Sequence, residues 1–198
     1  MNESTTTKMN IGEVRFSYCH LFTPEAVSDG ADKKYSVSVI IPKTNTQLIA
    51  GIKQCINAAY QQGLASRWKG RKPAVWKNPL RDGDTERPDD ESYANSYFIN
   101  VTSRTKPGIV KRMTVGGVTK LVEVTNEEDV YSGCYGYVSV NFFPFANAGN
   151  NGVACGLNNV LKTKDGEFLG GRSSALTDFG DLLDDLPGDQ ENEDDLPF

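Results

Sequence analysis

Only one histidine, His20, and two tryptophans occur in 198 residues, and the four cysteines at 19, 55, 134 and 155 form no CxxC pair. With a single imidazole, neither a histidine-built metal site nor a Ser/His/Asp triad can be assembled. The cysteine spacing, with nothing that marks a secreted context, predicts reduced thiols acting as small buried hydrophobes. No stretch approaches the roughly 18 apolar residues of a membrane span. Met1 to Asn10 is polar with no apolar run, which predicts a soluble, unexported protein. Two further absences are local: no Lys or Arg follows Asp178, and no Asp or Glu lies between Ser66 and Arg81.

These local absences divide the charge. Nine of the 26 acidic residues fall between Asp178 and Phe198, leaving 17 against 21 Lys and Arg in the body, a net +4. The overall charge of −5 therefore hides a basic body with an acidic appendage, the asymmetry expected of an anion-binding domain with a tail. About 175 residues outside the tail bury one substantial core and no second domain of ordinary size. The expected organisation is one domain over 1–177 and a disordered acidic tail over 178–198.

Period-two alternation dominates the body. Gly12 to Phe22, Tyr35 to Ile41, Tyr97 to Thr102, Ile109 to Val115 and Val118 to Val124 read as strands, with Gly116 and Gly117 suited to a tight hairpin turn. Val130 to Phe145 and Gly152 to Lys162 are longer strands joined by a turn at Asn147 to Asn151. Helical spacing appears once, through Leu48, Ile52, Cys55, Ile56 and Ala59. Thr44 and Gln47 match a capping box there, and Gly63 suits the C-terminal cap. The segment 63–93 has no clear period and contains Pro73, Pro79 and Pro88, so it reads as a long loop insertion. A mainly β chain with one main helix and mostly antiparallel strands predicts a small barrel.

Two constellations carry chemistry. In Val130 to Phe145 the even positions are aliphatic or small, whereas the odd positions bring Tyr131, Tyr135, Tyr137, Phe143 and Phe145 to the other face. The first face suits a barrel core. The second is either a platform on which bases stack, at about 1–3 kcal/mol each, or a surface packed beneath the helix or against another copy. Ser66 to Arg81 supplies Arg67, Trp68, Lys69, Arg71, Lys72, Trp76, Lys77 and Arg81. Cations for phosphates interleaved with flat rings for bases suit a groove for an unpaired strand. Arg104, Lys106, Lys111 and Arg112 bracket the next hairpin and extend the expected track. The candidate stacking rings are Trp68, Trp76, Tyr135, Tyr137 and Phe143.

The run Val130-Tyr-Ser-Gly-Cys-Tyr-Gly-Tyr-Val-Ser-Val-Asn-Phe-Phe-Pro-Phe145, the following turn, Gly152-Val-Ala-Cys-Gly-Leu-Asn-Asn-Val160 and Gly170-Gly-Arg-Ser resemble the phage family of single-stranded-DNA-binding proteins first catalogued as a domain of unknown function. The resemblance spans roughly 9–181. It implies an OB-fold antiparallel barrel that binds single strands with little sequence preference, needs no cofactor or metal, has no catalytic activity, and works in the cytoplasm of a bacterial host during replication, recombination and repair. The end of the chain, Asp194, Asp195, Leu196, Pro197 and Phe198, is similar to the tails of bacterial single-stranded-DNA-binding proteins. That similarity implies docking of the terminal Phe and its carboxylate on replication, recombination or repair enzymes, a mode of terminal-carboxylate capture. Homo-oligomer formation is left open, as is RNA in place of DNA, because stacking and phosphate contacts do not read the 2′-OH.

Other functions remain to be weighed. A single-strand annealing or recombination mediator uses the same chemistry; a protein-only adaptor needs only the tail. A metal-dependent nuclease needs acids converging on Mg²⁺, and the clusters Asp89 to Glu91 and Glu127 to Asp129 are adjacent acids of the kind found solvated in loops.

Overall fold

The alternating segments become strands and the one helical period becomes a helix. In the computed structural model, which describes residues 6–147 and 149–170, the order is β1 (Lys8–Glu25), β2 (Lys34–Pro42), α1 (Thr46–Ser66), β3 (Arg81–Asp82), α2 (Gly83–Glu86), β4 (Ser96–Ser103), β5 (Gly108–Val115), β6 (Val118–Glu123), β7 (Tyr135–Asn147) and β8 (Asn150–Lys164). Antiparallel pairing links β4 to β2, β2 to β1, β1 to β7 and β7 to β8. A parallel contact between Thr102 of β4 and Gly156 of β8 shuts the ring. The result is the expected five-stranded OB barrel, antiparallel except at this closure. The β5–β6 hairpin then adds to the outside of β8 in parallel. Among the described residues, no helix is long and apolar enough to cross a membrane.

The face assignment in β7 holds residue by residue. Gly136, Val138, Val140 and Phe142 are buried, while Tyr135, Tyr137, Ser139, Asn141 and Phe143 are half-buried or exposed. Inside, Phe142 and Val140 meet Ile11, Val14 and Phe16 of β1, Val37, Val39 and Ile41 of β2, and Ile99 and Val101 of β4. Helix α1 plugs this core with Ile49, Ile52, Cys55, Ile56 and Ala59. Cys55, Cys134 and Cys155 are buried and Cys19 is half-buried, all as free thiols. Burial pushes all four thiols up, which keeps them protonated and unreactive at neutral pH.

Gly136 is dictated by contact. A Cβ there would lie 2.1 Å from the Leu161 carbonyl oxygen and 2.9 Å from the Phe16 ring. Because the first obstacle is backbone of the paired strand, Gly136→Ala must shift β7 against β8. It should cost about 1–3 kcal/mol or more, read as a lowered urea midpoint with unchanged m; an unaltered midpoint would refute this packing.

Three expectations need revision. The helix N-cap is Asn45, whose side chain accepts from the Leu48 N–H at 3.3 Å, so the Thr44/Gln47 box is not the cap. Gly63 is no C-terminal cap either. It lies buried within α1, which continues to Ser66, and its missing Cβ makes room for the Trp68 ring; an added Cβ would sit 2.7 Å from that ring. Third, the insertion 63–93 is folded in its second half. β3 pairs with β4, Asp82 caps α2, and Lys43 holds both Asp82 at 2.8 Å and Asp84 at 2.6 Å. The Lys43 ammonium and the Asn95 N–H keep the Asp84 carboxyl below the usual carboxylate range. Tyr93 is fully buried beside Ile40 and Phe98, on the opposite side of β2 and β4 from the main core, with its hydroxyl donating to Ser38 at 3.0 Å. The segment's irregular, proline-containing composition carries no period, and part of its docking is to Ser38, Ile40 and Lys43, about 40 to 55 positions upstream.

Candidate nucleic-acid interface

Barrel closure turns the odd residues of β7 into the middle of a wide outer surface. Register places Lys8 of β1 and Gly156 of β8 on either side of Asn141, Asn10 and Asn159 on either side of Ser139, and Arg15 and Lys164 on either side of Tyr135. Leu161 of β8 lies beside Tyr137, and Val110 of β5 lies beyond it. Tyr137, Asn10, Ser139, Asn159, Leu161 and Val110 line a shallow depression of about 220 Å³.

Two rings on this surface rest on glycines of neighbouring strands. A Cβ at Gly12 of β1 would meet the Tyr137 ring at 2.7 Å, and one at Gly156 of β8 would meet the Phe143 ring at 3.4 Å. Only the missing Cβ at Gly12 lets the Tyr137 ring lie so close to the sheet, whereas the Gly156 distance is ordinary contact; the rings stay 38% (Tyr137) and 41% (Phe143) exposed. Tyr135, half-buried, lies between cations: the Lys164 ammonium is 4.6 Å and the Arg15 guanidinium 5.9 Å from its centroid. Lys164 also pairs with Glu13 at 3.1 Å. Hydrogen bonds from Thr163 and Lys164 lower the Glu13 carboxyl, and the nearby Arg112 charge adds to that effect. Arg112, two residues along β5 from Val110, lies on the same face.

The basic loop lies at the far end of β7. Lys69 and Gly70, at φ of 49° and 75°, turn the chain back after α1, and the Gly70 N–H donates to the Leu64 carbonyl at 2.8 Å. Lys77 then pairs with β8, its N–H donating to Asn151 at 2.8 Å and its carbonyl accepting from Val153 at 3.0 Å. Arg67, Lys69, Arg71 and Lys72 surround a cleft of about 530 Å³ with Trp68, Pro73 and Asn151. These four cations and Lys77 are exposed. Among the described residues none of the five forms an ion pair.

Trp68 does not offer a stacking face. It is 7% exposed, packs over Gly63 and 5.0 Å from the Tyr60 ring, and donates its indole N–H to the Phe145 carbonyl at 3.3 Å. Two tryptophans in a polar loop needed cover, and Tyr60 of α1 supplies it to both: Trp76, half-buried, lies 5.0 Å from the same ring. Trp76 keeps an open side on a pocket formed with Lys53, Ile56, Asn57 and Asn78.

The other expected cations do not form one track with the loop. Arg81 sits on the outer side of β4, over the Phe98 ring at 4.7 Å and bonded to Glu86. Arg104 pairs with Asp32 at 3.1 Å, and Lys106 lies 5.2 Å from the Phe22 ring. Lys111 faces away from Arg112, as strand neighbours must, and bonds to Asp129 at 2.7 Å. Sequence reasoning passed over Lys8, Arg15 and Lys164, whose only signal was their place on the polar side of a strand. The tail residues Asp194, Asp195, Leu196, Pro197 and Phe198 lie outside the described residues.

The model of the family described as the Enterobacter phage Enc34 ssDNA-binding protein matches residues 7–196. The chain is 30% identical over 187 residues to a putative protein p50 of Acyrthosiphon pisum secondary endosymbiont phage 1, covering 88% of this chain and 94% of that one. The fold is similar to the single-stranded DNA-binding protein from bacteriophage Enc34, solved as a C-terminal truncation, with TM-score 0.67, 24% identity and coverage of 82% and 88%. The same phage protein in complex with ssDNA gives TM-score 0.64 at 24% identity, over 83% and 90%. A more distant likeness, TM-score 0.52 at 15% identity over 96% and 98%, is to gp2.5, a single-stranded DNA-binding protein encoded by bacteriophage T7. An OB barrel of this topology, with a family match along nearly its whole length, places the chain in the Enc34-type phage ssDNA-binding protein family.

Proposed function

We propose that this protein binds single-stranded DNA without sequence preference, coats and protects it during phage replication and recombination in the bacterial cytoplasm, and recruits partner enzymes through its acidic tail. The observation that carries the reading is the outer row of β7. Tyr137 and Phe143 are seated on glycines with open faces, Tyr135 lies between two cations, and the row leads to the basic cleft at Arg67 to Lys72. From Tyr135 to Phe145 the strand extends about 33 Å at roughly 3.3 Å per residue. Stacking on such rings is indifferent to base identity, because every base has a flat face. The relatives described as binding ssDNA support the same ligand.

A non-enzymatic role is in keeping with what the acids do. Asp90 caps a short 3₁₀ turn through the Ser92 N–H, and Asp129 bonds Lys111, so both are engaged in holding the fold. The test is a salt series of affinities for oligo(dT), oligo(rU) and a duplex. The expected result is tight binding of oligo(dT) at low salt, weak binding of the duplex, and a linear fall of log affinity with log salt at about −0.7 per phosphate neutralised. No retention of oligo(dT) at low salt would refute the reading and favour a protein-only adaptor.

A further inference from the structure

Tyr18 is out of place on two counts. It has φ of 48° in the middle of β1, a left-handed conformation that a bulky side chain rarely adopts, and its ring is 51% exposed. It sits where the β1–β2 register slips between Ser17 and His20, so an irregularity in the strand turns the ring out of the sheet.

What the ring meets there is Arg87, carried in by the folded half of the insertion. The Arg87 guanidinium lies 4.8 Å from the Tyr18 centroid, 4.7 Å from that of Tyr93 and 5.4 Å from that of Phe98, and donates to the Tyr18 hydroxyl at 3.1 Å. Among the described residues, no carboxylate pairs with it. A guanidinium has five N–H donors in a planar fork, and this one has a single hydrogen-bond partner among the described residues. Three rings therefore fix a charge whose remaining donors are open to an acceptor. Tyr18 holds the cation against one side of its ring and stays half exposed.

We infer that Tyr18 and Arg87 form a second nucleotide-binding subsite, in which a base stacks on Tyr18 and the adjoining phosphate is bound by Arg87. The inference rests on the single-strand reading above and extends it across the barrel. Tyr18 lies three residues along β1 from Arg15, roughly 10 Å by strand rise, which is within reach of one strand that also passes Tyr135. Local backbone strain of this kind is associated with functional sites rather than with packing. The sequence showed none of this, because the partner of Tyr18 lies 69 positions away in a segment with no period.

The experiment uses the full chain and oligo(dT). Tyr18→Gly suits a left-handed position, so the variant should keep its melting temperature while affinity falls about 5- to 150-fold, the range of one stacked base. Tyr18→Phe should bind within about twofold of the parent, and Arg87→Gln should lose affinity and flatten the salt slope by about 0.7. Photocrosslinking of the unmodified protein to oligo(dT) carrying 5-iododeoxyuridine should label the peptide containing Tyr18, a readout independent of any variant's folding. If the parent binds oligo(dT) but Tyr18→Gly and Arg87→Gln bind equally well and no crosslink maps to Tyr18, the pair only fastens the insertion to the barrel and the subsite is wrong. If the parent itself ignores oligo(dT), the single-strand reading falls and the subsite with it.

Discussion

Replacing Arg67, Lys69, Arg71 and Lys72 together by alanine should weaken oligo(dT) binding on the order of a hundredfold near physiological salt and reduce the log–log salt slope by about 3, from roughly −0.7 per lost phosphate contact. The four side chains line one cleft and are exposed, and the loop's packing is carried instead by Trp68 over Gly63 and by Lys77 on β8. The melting temperature should accordingly hold within a few degrees. Neutralising Arg104 and Lys106 provides the contrast, since Arg104 already pairs with Asp32 and Lys106 lies on the Phe22 ring. Their loss should change the slope by less. A quadruple variant with the parental slope would remove the cleft from the binding surface.

Deleting Asp194 to Phe198 should abolish capture of host replication and repair enzymes from lysate while single-strand affinity holds. Removing the whole acidic stretch from Asp178 should go further and raise affinity at low salt, because nine carboxylates no longer compete for a body of net +4. That gain should fade as salt rises, with the screening length already about 8 Å at physiological ionic strength. The two deletions separate terminal docking from bulk charge. The second Asp-Asp-Leu-Pro, at Asp184 to Pro187, is followed by Gly188 rather than a terminal Phe and should not restore capture. The described chain reaches Gly170 with Leu169 bonded to the Ser132 carbonyl at 2.8 Å and packed beside Ile40, Tyr93 and Phe98. Capture that survives the shorter deletion would rule out docking through the terminal Phe.

Much of the barrel was legible in the chain because its signals are local. Alternation in Tyr135 to Phe143 assigns each side chain to a face before any partner strand is known, since successive residues of a strand point to opposite sides. Gly116 and Gly117, at φ of 58° and 78°, make the hairpin turn their pairing promised. The helical repeat through Leu48, Ile52 and Ile56 became α1, and the charge division between body and tail needed only a count.

The candidate site was half legible. Tyr137 and Phe143 could be placed on the outer face, but not the glycines beneath them, because Gly12 meets Tyr137 only through the β1–β7 pairing. Arg15 and Lys164 flank Tyr135 for the same reason. Trp68 and Trp76 looked alike by composition and both lie 5.0 Å from Tyr60, yet one is covered and the other half-open, because only Trp68 closes over Gly63 and bonds the Phe145 carbonyl. Period, composition and charge follow from neighbours in the chain, so they determine which residues face outward and which segments are strand or helix. Which outward residues stand together, and which rings are covered, follows from closing five strands into a ring and folding the insertion over it, and those contacts join residues up to 152 positions apart.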